Sequence, residues 1–554
     1  MNGLLRKEGS GAIILTVLCL FLYLPNLGNR DLWGSVEPQY AQVAREALLE
    51  GHWFMPHFNG EIYYTKPPLY FLLMALASWP VGDVTEFTAR LPSALSALGM
   101  VLLVYFLGKK LFSERLGLLA GLILATSPQY QQSACMVRID MPLAFLVTSS
   151  LVAFYLGYTS SSRKTYYLLA WFCAALTVLV KGPLAPVLVA IVVFLYLFSR
   201  GELRRLKEIT PLSGSLVFIA TILGWMFLAL SEEGHNLSEE GLNHIKNFFM
   251  LFTSPNEELY YPKEGYYYIK ELFRLLTVYA TEEPHAKPFY FYIPEILIGL
   301  GPWSLFMIVA IFLFFRKKSE YLRFPCLWFM AMFISLSLIA SKHSRYLLPL
   351  YPAAALLAAA PWEGYLERPT LPWPKIKALP LLLLASILGL EIALLISHGL
   401  PAPAINIALV TIPLIAGIYF ALKAAQFRLL FLSLLLTFVV FEFSYYQFRL
   451  PRENEKRSEK YLCQEMLRVM APGSPWAVYN SFRPAYPFYT KMYPKCIPSE
   501  ADLNQFLSSP ERVYCLLRER DYAAIKLTVY KVLEFEGKKK KDDDLVLVCN
   551  MPKG

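Results

Sequence analysis

The chain has 554 residues, of which 56% are hydrophobic and only 17% charged, a balance that excludes an ordinary soluble domain and marks an integral membrane protein. A net charge of +10 would suit nucleic acid if the cations shared one face, but they cluster at alternate ends of apolar runs. Eight cysteines are too few for a disulfide scaffold at this length, and none has the C-x-x-C or Cys/His spacing of a zinc site.

In chain order, Arg6 and Lys7 precede an apolar run over 12–28 that lacks a small-residue cleavage site and reads as an uncleaved anchor. Taking about 20 residues per crossing, roughly thirteen transmembrane helices follow from the pattern. They are placed at 12–28, 89–108, 114–132, 140–159, 165–181, 183–199, 211–230, 289–315, 322–340, 345–362, 378–397, 404–422 and 427–446. The further cationic clusters are Lys109-Lys110 with Arg115, Arg163-Lys164, Arg200 with Arg204, Arg205 and Lys207, Arg316-Lys317-Lys318 with Arg323, Arg368 with Lys375 and Lys377, and Lys423 with Arg428. A simple zigzag puts all of them on one side, which the positive-inside bias makes the cytoplasm. The N-terminus is then cytoplasmic. Residues 29–88, 231–288, the Arg138-Ile139-Asp140 turn, the Ser341 to Arg345 turn and everything after about 447 face outward.

The stretch from Asn29 to Tyr70 is not apolar and gathers chemistry: Glu37 and Tyr40, an Arg45-Glu46 pair, Gly51-His52-Trp53, and Tyr63-Tyr64-Thr65-Lys66-Pro67-Pro68. A carboxylate, a lysine and several tyrosines in one loop at a membrane face suit an anionic, sugar-bearing lipid. The tail from Leu450 is different material. An amphipathic helix over Cys463 to Met470 and short strands at Trp476–Tyr479, Val513–Leu517 and Leu545–Val548 read as a small α/β domain, giving domains 1–446 and 447–554. Cys463, Cys496, Cys515 and Cys549 fall there, and an oxidising compartment would permit any of three pairings. Lys538 to Lys541 followed by Asp542 to Asp544 reads as a solvated turn.

No phosphate-binding glycine loop, dinucleotide fingerprint, nucleophile elbow or H-E-x-x-H motif is present. The candidates are therefore residues of the outer face: Glu37, Asp140, Tyr40, Tyr63, Tyr64, Lys66, His285, Lys342, Arg345 and Tyr346. If a sugar leaves a lipid phosphate, cations such as Lys66, Lys342 and Arg345 must stabilise the charge that the phosphate gains. The acceptor oxygen needs a carboxylate for its proton, Glu37 or Asp140, unless it arrives as an anion. Tyrosines both stack on sugars and donate hydrogen bonds. Each residue also has a structural reading: Glu37 as the acidic first turn of a helix, Lys66 as a snorkelling lysine, Tyr63-Tyr64 as an aromatic belt, Asp140 as a partner of Arg138, and His285 as a surface histidine. Glu391, within an apolar run, would be functional by default.

The ordered set of short motifs is similar to a known family. Leu32-Trp33-Gly34-Ser35-Val36-Glu37-Pro38-Gln39-Tyr40, Ala44-Arg45-Glu46, Gly51-His52-Trp53, Pro56-His57, Asn59-Gly60 and Tyr63 to Leu69 resemble the first loop of bacterial dolichyl-phosphate-mannose-protein mannosyltransferase-like enzymes, nearest to their aminoarabinose lipid A transferase branch. Ala89-Arg90-Leu91-Pro92, Asp140-Met141-Pro142, Lys181-Gly182-Pro183, His285 through Trp303, and Ser341-Lys342 with Arg345 to Pro352 recur in the expected order. The resemblance implies a GT-C bundle of about thirteen helices with a small C-terminal periplasmic α/β domain, in the bacterial inner membrane. It further implies a monomeric inverting glycosyltransferase that uses an undecaprenyl-phosphate sugar and a lipid or glycan acceptor, with no nucleic acid. By position, Glu37 and Asp140 take the catalytic acidic places, and Tyr40, Tyr63, Lys66 and Tyr346 those for sugar and phosphate.

The chain departs from the family at three places: Val36 stands where an aspartate is usual, Gln39 where an arginine is usual, and Thr65 where an acid commonly precedes the lysine. The last weakens any metal-site inference, so no cofactor is certain and a divalent metal is only weakly supported. A protein O-mannosyltransferase-like enzyme and a flippase of lipid-linked sugars are the alternatives; the flippase reading calls for internal repeats and midplane polar residues, whereas no repeat is found and the acids and cations sit mostly at the outer face.

Overall fold

Glycine and proline decide where the apolar runs stop being single helices. The computed structural model describes residues 9–232, 287–317, 319–339, 341–362, 427–525, 527–535 and 544–552. In chain order the helices of its first half are α1 (Ser10–Tyr23), α2 (Val36–Glu50), α3 (Leu69–Ser78), α4 (Glu86–Leu111), α5 (Glu114–Ala125), α6 (Pro128–Ala134), α7 (Asp140–Thr159), α8 (Arg163–Lys181), α9 (Leu184–Ser199) and α10 (Pro211–Glu232). Then come α11 (Tyr292–Leu300), α12 (Trp303–Lys317), α13 (Glu320–Leu338), α14 (Tyr351–Ala359) and α15 (Phe427–Ser444).

The protein is a helical multi-pass membrane protein. Among the described residues six helices are long and apolar enough to cross a bilayer, or seven if α11 and α12 count as one bent span. The expected spans at 378–397 and 404–422, Glu391, His285, most of the 231–288 loop and the Lys538 to Lys541 run lie outside the described residues. Three expected spans are not simple rods. The run at 114–132 breaks after Ala125, because Pro128 has no N–H to continue the ladder and starts α6 instead. The run at 289–315 turns by 120° between α11 and α12, at Gly301 with φ +62 followed by Pro302. The run at 345–362 begins as a 3₁₀ turn over Ser344–Leu350, with Pro349 inside it, before α14. Helices α4 and α5 cross closely. A Cβ on Gly117 would lie 2.5 Å from the Tyr105 carbonyl oxygen, so only glycine permits the approach.

The chain forms two compact units. The first comprises residues 1–27, 64–70 and 90–447 and holds most of the membrane helices. The second combines the first loop, residues 28–63 and 71–89, with the tail from 448 onward. The tail carries a five-stranded sheet of order β4-β3-β5-β7-β6, from β3 (Trp476–Tyr479), β4 (Lys495–Ile497), β5 (Tyr514–Arg518), β6 (Tyr530–Phe535) and β7 (Leu545–Cys549). β3 pairs in parallel with β4 and β5, whereas β7 runs antiparallel to β5 and β6. Side chains alternate across it, as the two-residue period requires. Trp476, Val478, Tyr514 and Leu516 face a core with Leu462, Cys463, Met466 and Cys549, and Ala477, Cys515, Leu517 and Val548 face Leu503 and Leu507. All four tail cysteines are free thiols, and burial pushes the Cys515 thiol up to about 12.

In the first loop, β1 (His57–Phe58) and β2 (Glu61–Ile62) form a hairpin whose two-residue turn is Asn59-Gly60, both at positive φ. Arg45 of α2 joins three segments of this unit. Its guanidinium bonds Asp83 Oδ1 at 2.7 Å, the Val84 carbonyl at 3.0 Å and the Phe488 carbonyl at 2.5 Å. Lys460 likewise reaches Glu86 at 2.7 Å and Asp31 at 3.3 Å.

Candidate active site

Glu37 is the second residue of α2 and only 2% exposed. Its carboxylate is gripped by the Arg30 guanidinium in a two-pronged pair, Nη1 to Oε2 at 2.7 Å and Nη2 to Oε1 at 2.8 Å, and Oε2 also accepts from the Trp33 amide at 3.1 Å. Such a fork holds the loop entering α2 in one conformation. Tyr40 and Tyr63 are buried edge-on against the same ring, Phe71, at 5.3 and 5.8 Å. Glu46 accepts from the Asn59 amide at 2.8 Å and the Gly60 amide at 3.1 Å, closing the hairpin turn. Burial raises the Glu46 carboxyl above its ordinary value, although these hydrogen bonds oppose the shift. The other acid, Asp83, lies lower than usual: burial pushes it up, but Lys491 and Arg45 together pull it further down.

The first unit assembles a different group. Asp140 opens α7 and Lys181 closes α8, so the hairpin of these two helices brings both to one end of the bundle. The Lys181 ammonium bonds Asp140 Oδ1, and Arg345 Nε lies 3.4 Å from Oδ2. Lys181 Nζ also stands 4.2 Å over the Tyr346 ring, with the Arg345 guanidinium 5.6 Å from the same ring and His343 edge-on to it at 5.2 Å. Asp140 is 4% exposed, whereas the Arg345 side chain keeps 28% of its surface. Lys66, 7% exposed, belongs to the same unit. Four residues beyond it, the Tyr70 hydroxyl meets Ser93 Oγ at 2.9 Å, and Ser93 donates to the Arg138 carbonyl at 3.3 Å, two residues before Asp140. The lysine segment and the aspartate turn are thus tied through α4.

Of the residues expected from sequence, Asp140, Arg345 and Tyr346 come together. Lys181 completes them, although the sequence offered it only as a helix boundary and as part of the Lys181-Gly182-Pro183 motif; a lysine ending an apolar run was the available signal. The close ion-pair partners of Asp140 are Lys181 and Arg345, with Arg138 acting on it from further away. Lys342 is buried and donates to the Lys287 carbonyl at 3.0 Å and to the Ile339 carbonyl, which makes it a strut for this turn. Tyr64 is half-buried beside Lys66 in the chain. Glu37, Tyr40 and Tyr63 belong to the other unit. Among the described residues no three His, Cys, Asp or Glu side chains are placed to hold a metal ion.

The family model for dolichyl-phosphate-mannose-protein mannosyltransferase matches residues 65–227. An uncharacterized protein of Aquifex aeolicus is 30% identical over 381 residues, 68% of either chain. An undecaprenyl phosphate-alpha-4-amino-4-deoxy-L-arabinose arabinosyl transferase of Pseudomonas savastanoi pv. phaseolicola is 32% identical over 228 residues, 40% of this chain and 42% of that relative, so the match spans less than half of it. The fold is that of ArnT from Cupriavidus metallidurans, crystallised with undecaprenyl phosphate: TM-score 0.75 over 98% of this chain and 99% of that one, at 18% identity. With its first-loop motifs, its carboxylate and cations at one end of a helical bundle and these likenesses, the chain belongs to the bacterial dolichyl-phosphate-mannose-protein mannosyltransferase-like family of GT-C membrane glycosyltransferases.

Proposed function

We propose that the protein transfers a sugar from an undecaprenyl-phosphate donor to an anionic acceptor at the outer face of the bacterial inner membrane, with inversion at the anomeric carbon, the acceptor being the phosphate of lipid A or of another glycan. The observation that carries this reading is the Asp140–Lys181–Arg345–Tyr346 cluster: two cations held beside one buried carboxylate, one of them still open to solvent.

The chemistry follows from charge. The acceptor oxygen attacks the anomeric carbon from the face opposite the lipid phosphate. The bond from that carbon to the phosphate oxygen breaks, and its electron pair stays on the phosphate. Lys181 and Arg345 neutralise the growing charge, and Asp140 holds both cations in place before the donor enters, so little reorganisation remains at the moment of reaction. Lys66 supplies a third positive charge on the segment tied to the Asp140 turn. Both candidate acids already serve cations, Glu37 with Arg30 and Asp140 with Lys181 and Arg345. Neither suits a general base, and a phosphate acceptor needs none. We assign Glu37 to fixing the first loop.

The same reading gives about thirteen helices in a monomer, a cytoplasmic N-terminus, and a periplasmic tail. The opposite end of the first unit supports it, since Arg163–Glu208 at 2.7 Å, Arg205–Glu202 at 2.9 Å and Arg200–Glu320 gather there where cationic clusters are expected inside. The test is reconstitution with an undecaprenyl-phosphate sugar and lipid A that carries or lacks its phosphates. Transfer to the phosphorylated form alone is expected. Equal transfer to the dephosphorylated form would replace the anionic acceptor with a hydroxyl, and donor turnover with neither would sink the lipid A reading.

A further inference from the structure

Helix α15 presents Phe431, Leu434, Phe438 and Glu442 at spacings of three, four and four residues, one stripe of a helix, and all four are buried. The first three do what such a stripe does in a bundle. Phe431 meets Trp303 at 5.2 Å and Trp362 at 5.0 Å, and the Phe438 ring closes on Gly301. Glu442, 3% exposed, continues the stripe with a carboxyl. Its carboxyl lies directly against the side-chain amide of the fully buried Gln131 of α6. No ion pair reaches Glu442 among the described residues. The buried titratable side chains on the surrounding elements include Cys19 and Tyr23 of α1, Tyr130 of α6, Cys135, Tyr292 of α11 and Tyr446 one turn further on, while the buried Arg90 of α4 donates to the Leu27 carbonyl at 2.6 Å.

Within a span, a carboxylate with an amide but no cation is costly, and the group takes up a proton instead. The acid then serves as a neutral hydrogen-bonding group between helices, and its location says what it holds. Gln131 lies nine residues before Asp140, on a seven-residue helix that packs against α1, α5, α7, α11 and the Ser344–Leu350 turn bearing Arg345 and Tyr346. On the same helix Tyr130 donates to the Ala97 carbonyl at 2.6 Å, so α6 is pinned on two sides. Just past the end of α15, Gln447 donates to Asn26 Oδ1 at 2.9 Å and fastens this turn to the 3₁₀ turn that follows α1.

We propose that Glu442 stays uncharged in the bilayer and is a positioning residue, its bond to Gln131 fixing the Pro128–Asp140 stretch that presents Asp140 to Lys181 and Arg345. This rests on the Asp140 cluster being the reacting centre, so one of its readouts is independent of turnover. Infrared difference spectra of the wild-type protein in lipid nanodiscs against Glu442→Gln should show the carbonyl stretch of a protonated carboxylic acid at neutral pH, absent from the variant. In transfer assays Glu442→Gln should keep kcat within about threefold, whereas Glu442→Leu and Gln131→Leu should each lower kcat by about tenfold with donor KM unchanged, the scale of one interhelical hydrogen bond. The exchange Glu442→Gln with Gln131→Glu should restore it. A spectrum showing Glu442 only as carboxylate overturns the proposal, as does a Glu442→Gln enzyme as inactive as Asp140→Asn or a fully active Glu442→Leu. If the acid band is present but Asp140→Asn transfers normally, the neutral glutamate stands and the assignment of the centre falls.

Discussion

Glu37 and Asp140 are both buried carboxylates facing arginine, and the two regions that hold them use the pair differently. Around Glu37, one guanidinium meets both oxygens in the flat fork that arginine and carboxylate share, and a backbone N–H fills in beside it. Nothing in that arrangement improves if a phosphate arrives. Around Asp140 the two oxygens are divided between two cations from different elements, Lys181 at the end of α8 and Arg345 in a 3₁₀ turn, both also near the Tyr346 ring. The two cations come from separate elements, and Arg345 remains partly exposed. The first pair holds a loop; the second is the one to which we assign the phosphate.

The comparison can be broken at four points. The largest effect is expected on turnover. Lys181→Ala or Asp140→Asn should lower kcat by about a hundred- to a thousandfold, the scale of removing one preorganised electrostatic contact, while Glu37→Gln should leave turnover per folded molecule near wild type. A Glu37→Gln enzyme that folds normally yet loses a hundredfold would return the chemistry to the first loop. Lys66→Ala comes next, at roughly one to three orders of magnitude in kcat with normal insertion; wild-type turnover by the purified variant would remove it from the phosphate site.

The third is a stability effect. Arg30→Ala takes the two-pronged guanidinium away from buried Glu37, so the first-loop and tail unit should lose about 3–5 kcal/mol, measured by pulse proteolysis, and the double change Arg30→Met with Glu37→Leu should recover much of it. Equal loss in the double variant would mean that the ion pair itself, not the orphaned charge, supplies the stability.

The smallest is a pH effect of two acids with opposite signs. Burial lifts the Glu46 carboxyl above its ordinary 4.5, so the folded state binds more protons in the window above that value. Its contribution is present below 4.5 and lost as pH rises through the folded value. Amide exchange at Asn59 and Gly60 should therefore quicken over that window beyond its intrinsic rise, and Glu46→Gln should flatten the excess. Asp83 works the other way: burial raises it, but Lys491 and Arg45 leave it below its ordinary 3.8, so its contribution is present above 3.8 and fades as pH falls through the folded value. Asp83→Asn should abolish that acid-side loss.

Much of the bundle was legible in the chain because apolar runs of spanning length, cations at alternate ends and Gly/Pro breaks are local signals. Helices α7, α8 and α9 begin and end within about two residues of the expected positions. The tail strands at Trp476–Tyr479 and Leu545–Cys549 were equally plain, from their short β-rich runs. What the runs concealed was bending: Gly301-Pro302 turns one span by 120°, and Pro128 cuts another. Hydropathy averages over such breaks and cannot see them.

The sequence by itself determined that this is a membrane protein of a particular transferase family, because composition, charge placement and short motifs survive without coordinates. It also singled out Glu37, Lys66, Asp140, Arg345 and Tyr346. Tertiary structure alone decided their partners. Lys181 lies 41 residues from Asp140 and Arg345 lies 205 away, and only the return of α8 along α7 and the 3₁₀ turn bring those charges together. In the same way the first loop and the tail, hundreds of residues apart, share one compact unit through Arg45 and Lys460. Ion-pair choice depends on distance in space, and a one-dimensional pattern does not encode it.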